Sequence, residues 1–64
     1  MKVKTKVLSD GMRQIGYHNG QGWVGLTNIY KERTIWKSDN YSGWYFTIKD
    51  WVGFVQKIVD VNHL

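Results

Sequence analysis

The chain predicts an α+β fold: a small antiparallel sheet of four or five short strands with one amphipathic helix packed across it. Three observations carry this. The C-terminal third has helical periodicity, most of what precedes it has period-two or β-prone patterning, and turn signals break the β-prone part at short intervals. With 64 residues, no cysteine and no proline, the chain has the size of a single domain, residues 1–64. Its core has to come from four Trp, four Tyr and two Phe, because no disulfide or thiolate metal site can staple it.

Taken in order, Lys2 to Leu8 alternates Lys2, Lys4 and Lys6 with Val3, Thr5 and Val7, which predicts a half-buried strand with the lysines on its solvent face. Lysines on one face suit a sheet edge, where they discourage association with other strands. Ser9-Asp10-Gly11 predicts a turn, and Met12 to His18 a second strand with Met12 and Ile15 as its apolar members. Asn19-Gly20 predicts a type I′ hairpin turn, whose two central residues take positive φ. The partner strand is expected over Gly22 to Ile29 with a bulge at Gly25, and Tyr30 to Arg33 as a polar connection. Thr34 to Lys37 and Trp44 to Phe46 read as strands flanking a hairpin loop over residues 38–43. Residues 1–46 thus form the sheet part and 47–61 the helix.

The helix has the firmest basis. Ile48, Trp51, Val52, Phe54, Val55, Ile58 and Val59 fall on one face and Lys49, Asp50, Gly53, Gln56, Lys57 and Asp60 on the other. Thr47 is placed as N-cap, with Asp50 as its capping-box partner near the positive end of the helix dipole. The helix brings Trp51 and Phe54 to the core, and Trp23, Trp36, Phe46 or Trp44 must meet them. Neighbouring strand residues point to opposite faces, so Trp44 and Tyr45 cannot both be core.

No pattern here calls for catalysis. His18 and His63 fall at a turn and at the C-terminal end, where surface positions are expected. Asp10 and Asp39 lie in turns, and Asp50 and Asp60 lie on the polar helix face. Ser9, Ser38 and Ser42 have no base at a recognisable spacing, and Gly20-Gln21-Gly22 does not open a helix as a phosphate loop must. We therefore expect a non-enzyme without cofactor or metal. No apolar run approaches the ~20 residues of a membrane span, and Met1-Lys2-Val3-Lys4 lacks a following apolar stretch, so no membrane partner and a cytoplasmic location are expected.

Charge is unevenly spread. Residues 1–37 place Lys2, Lys4, Lys6, Arg13, Lys31, Arg33 and Lys37 against Asp10 and Glu32, a balance of +5, while residues 38–64 balance at −1. Positive potential on the sheet half suits phosphates or an acidic protein, and a solvated edge strand explains the same lysines without a ligand. Together with an exposed ring at Tyr41 or Trp44, the residues Lys2, Lys4, Lys6, Arg33 and Lys37 make the candidate binding surface.

Phe46-Thr47-Ile48-Lys49-Asp50-Trp51-Val52-Gly53-Phe54-Val55 resembles the C-terminal signature of the BldB-like small proteins of actinobacteria, and Trp36-Lys37-Ser38 with Tyr41-Ser42-Gly43 resembles that family's other signature. The likeness lies within residues 36–58, where the two signatures follow one another directly. It implies a small regulatory partner encoded beside a helix-turn-helix protein and working through protein contacts. The first expectation is accordingly a binding or regulatory protein of the kind phages and mobile elements encode, engaging a host or neighbouring protein. The alternative is a nucleic-acid-binding module using a basic, aromatic sheet face, and a small homo-oligomer is a third reading.

Overall fold

The computed structural model describes residues 1–62, so His63 lies outside the described residues. Five strands form one antiparallel sheet in the order of the chain: β1 (Lys4–Ser9), β2 (Met12–His18), β3 (Trp23–Glu32), β4 (Ile35–Ser38) and β5 (Trp44–Tyr45). One helix, α1 (Ile48–Asn62), follows and covers one face of the sheet. It starts one residue after the expected boundary because Thr47 is the cap rather than the first helical residue. The Thr47 hydroxyl accepts the Asp50 amide at 3.1 Å and lies 2.8 Å from Asp50 Oδ2, to which it donates.

Helix and sheet meet as the periodicity requires. Trp51, Val55 and Val59 are buried against Ile15, Ile29, Trp36 and Val3, with Ile48, Val52 and Phe54 packed around them. Trp51 is 1% exposed, and its indole N–H donates to the Trp36 carbonyl at 2.8 Å, so the ring both fills the core and satisfies a strand oxygen. Tyr45 meets Trp51 edge to face at 5.0 Å while its neighbour Trp44 points away, as strand alternation demands.

Several local expectations need correction. β1 begins at Lys4, and Thr5 and Val7 are exposed, Val7 by 67%. Only Val3 of the alternate set is buried, and it precedes the strand. Its amide donates to Gln56 Oε1 at 2.9 Å and Gln56 Nε2 donates to the Met1 carbonyl at 2.7 Å, so a residue expected on the free helix face ties the N-terminal arm to α1. The turn after β2 is not type I′. Gly20 has φ +94°, but Asn19 is not at positive φ. Instead Asn19 accepts the Gln21 and Gly22 amides on its side chain and closes a four-residue loop with its own amide on the Gly22 carbonyl.

Tyr30 to Glu32, expected as a connection, extend β3, and the chain reverses tightly at Arg33, which has φ 59°. The expected bulge is present one residue along. Ile15 pairs with Thr27 but Gly16 with Gly25, which leaves Leu26 extra on β3. Gly16 is required beside it, since a Cβ there would collide with the Val24 carbonyl and come within 2.8 Å of the Trp23 ring. The loop between β4 and β5 is held from below by Thr27 and Ser38, both buried. Their hydroxyls are 2.6 Å apart, Thr27 bonds Asn40 Oδ1, and Ser38 Oγ accepts the amides of Asn40 at 3.2 Å and Tyr41 at 3.1 Å.

Candidate interaction surface

Strand alternation and the pairing register sort the side chains onto two faces. Thr5, Ile15, Thr27, Ile29, Ser38, Trp36 and Tyr45 follow one another through paired positions on the face under α1. The opposite face carries no helix among the described residues. There the paired positions Met12, Tyr30, Lys37 and Trp44 form one transverse row across β2 to β5. Lys6, Gln14 and Asn28 form a second row, and Lys4 lies two residues from Lys6 at the β1 edge.

Trp44 is 51% exposed and is braced edge to face by Phe46 at 4.9 Å, itself 63% exposed, so an aromatic pair stands in solvent at the β5 edge. Lys37 stands between Tyr30 and Trp44 in the register. Its ammonium is 3.5 Å from Glu32, the one ion pair among the described residues. Both partners are well exposed, so the pair contributes little stability and Lys37 can exchange Glu32 for another anion at small cost.

Trp23 is held more firmly. Its indole N–H donates to Gln14 Oε1 at 2.7 Å, and Gln14 Nε2 donates to Asn28 Oδ1 at 3.1 Å. The His18 ring meets it edge-on at 5.4 Å and the Lys6 ammonium lies over it at 5.3 Å.

Of the surface expected from sequence, the fold therefore brings Lys4, Lys6, Lys37 and Trp44 onto one face. Lys2 is exposed on the N-terminal arm outside β1, and Arg33 is exposed in the turn between β3 and β4. Tyr41 lies elsewhere: half-buried on the helix side, it packs edge to face on Phe54 at 5.5 Å. Sequence reading missed Tyr30, Trp23, Gln14 and Asn28. Counting β3 in period two with one residue skipped at the bulge would have found Trp23, Asn28 and Tyr30 on one side. Among the described residues no group of His, Asp and Glu gathers as a metal-ligating set, and no helix is long and apolar enough to cross a membrane.

Comparison of the chain with protein-family models, with curated proteins and with solved structures finds no match. The resemblance to the BldB-like proteins thus rests on its motif residues alone.

Proposed function

We propose that the protein is a non-enzymatic binding module that works through the sheet face opposite α1 and takes an acidic partner. The observation that supports this reading is that Lys4, Lys6 and Lys37 share that face with Tyr30 and the exposed ring of Trp44. Lysines raise the encounter rate with an acidic surface, and a large ring that becomes desolvated slows its release. Glu32 is that face's one acid among the paired strand positions, and Lys37 already neutralises it. A module with such a face acts by occupying its partner, the mode of the small regulatory proteins that phages and mobile elements encode.

Capture from a lysate of the native host on the immobilised protein tests this. The Lys4→Glu/Lys6→Glu and Trp44→Ala variants should lose the captured species while keeping the parent's circular dichroism. A Lys49→Glu/Lys57→Glu control on the outer side of α1 should retain it. Loss in the control alone would move the working surface to the helix.

A further inference from the structure

We infer that the acidic partner is single-stranded nucleic acid, with bases stacked on Tyr30 and Trp44 and phosphates held by Lys37, Lys4 and Lys6. This rests on the reading above, that the face opposite α1 is the working surface. Neighbouring strands lie ~4.8 Å apart, which puts Tyr30 and Trp44, two strands apart, at a backbone separation of about 10 Å. Lys37 occupies the strand between them, where the phosphate linking two bases would run, and to hold it Lys37 exchanges its exposed contact with Glu32 at 3.5 Å for the phosphate. On the β1 edge, Lys4 and Lys6 are two residues apart on the same face, about 7 Å, and lie three strands, ~14 Å, from Lys37 across the neutral side chains of Gln14, Asn28 and Tyr30, a gap that a strand of several nucleotides spans. Rings that accept any base face and lysines that track the backbone are the two components of a single-strand platform.

Two features of the same face count against other acidic ligands. A duplex stacks its bases on one another and so offers no free base face to Tyr30 or Trp44. The centre of a protein interface is depleted of charge, and lysine especially, yet Lys37 stands between the two rings. Trp23 takes no base in this arrangement. Its ring already meets the Gly16 backbone, the His18 edge and the Lys6 ammonium, so it positions Lys6.

Fluorescence anisotropy tests the assignment with labelled oligothymidylate and oligouridylate of about 15 nucleotides, a duplex of the same length, and a Glu-rich peptide, each starting at about 50 mM salt. The single strands should bind and the duplex and peptide should bind more weakly. Three phosphate contacts at ~0.7 each give a slope of log K against log salt of about −2, and Lys4→Gln/Lys6→Gln should reduce it in magnitude by about 1.4. Tyr30→Ala and Trp44→Ala should each weaken binding about tenfold without changing the slope, with Trp44→Phe recovering most of the loss. Equal binding by Trp44→Ala and parent, or a duplex bound as tightly as the single strand, would overturn the inference. If only the peptide binds, and does so through Lys4 and Lys6, the nucleic-acid assignment fails and the acidic-partner surface stands. If neither ligand class binds and host-lysate capture ignores the face variants, both fail.

Discussion

At the scale of single residues, Trp51 and three glycines show how differently the same chemistry is weighted by position. Trp51→Ala removes a ring that is 1% exposed and packed edge to face on Tyr45 and Phe54, and should cost ~3–5 kcal/mol in urea denaturation. Trp51→Phe keeps most of the volume but strips the Trp36 carbonyl of its 2.8 Å donor, and should cost ~1–3 kcal/mol. A phenylalanine variant as stable as the parent would mean that the bond contributes nothing. Gly53 is exposed on α1, and a Cβ there meets nothing within 4 Å, so Gly53→Ala should stabilise by ~0.5–1 kcal/mol through helix propensity. Gly16→Ala should destabilise, since its Cβ has to displace the Val24 carbonyl or the Trp23 ring. Gly25 is constrained from the other side, with the Gln14 amide 2.6 Å from where a Cβ would sit, which ties the bulge to the polar clamp on Trp23.

At the scale of elements, legibility follows how far α1 reaches. The helix was readable in its apolar stripe and its cap because each of its turns touches the sheet or closes on Thr47. Its 15 residues span about 22 Å, while the longest dimension of the molecule is 35 Å, so parts of the sheet lie beyond it. Those are the parts that misled. Val7 in β1 and Lys31 in β3 are on the helix side of the sheet but outside the helix's cover, so an apolar and a charged residue alike stand in solvent there while the backbone still pairs, and Glu32 is on the other face. The candidate surface was legible where parity runs unbroken, as for Lys4, Lys6, Lys37 and Trp44. It was hidden at Trp23 because the Leu26 bulge reverses the parity of β3, and period two separates two faces without saying which one the helix will cover. The type of the β2–β3 turn was not legible from Asn19-Gly20, because the Asn19 side chain replaces the backbone bonds of a tighter turn. Thr47→Ala should test the cap by itself, lowering stability by ~1 kcal/mol and fraying the first turn of α1 in amide exchange. Unchanged protection at Asp50 would show that α1 is held by packing alone.

For the molecule as a whole, the strand order β1-β2-β3-β4-β5 means that every strand pairs with its sequence neighbour, so the sheet assembles from contacts of short sequence separation. The packing of α1 on Ile15 and Ile29 spans more of the chain, and the contacts of the N-terminal arm span the most. Val3 and Met1 reach across the molecule to Gln56, more than 50 positions away, and Val3 is buried with Val55 and Val59 in the same core. Joining the two ends requires a loop as long as nearly the whole chain to be closed, which is entropically the most costly contact to make early. It should therefore form after the sheet and helix have met. Val3→Ala removes about 2 kcal/mol of burial, and this loss should appear almost entirely as faster unfolding, by about 30-fold, with the folding rate unmoved. Ile29→Val, in the central strand of the five, should instead slow folding by a fraction of its cost. Stopped-flow tryptophan fluorescence against urea reads both limbs. A Val3→Ala folding limb displaced by the full loss in stability would show that the ends meet in the transition state, and that the N-terminal arm nucleates the fold rather than closing it.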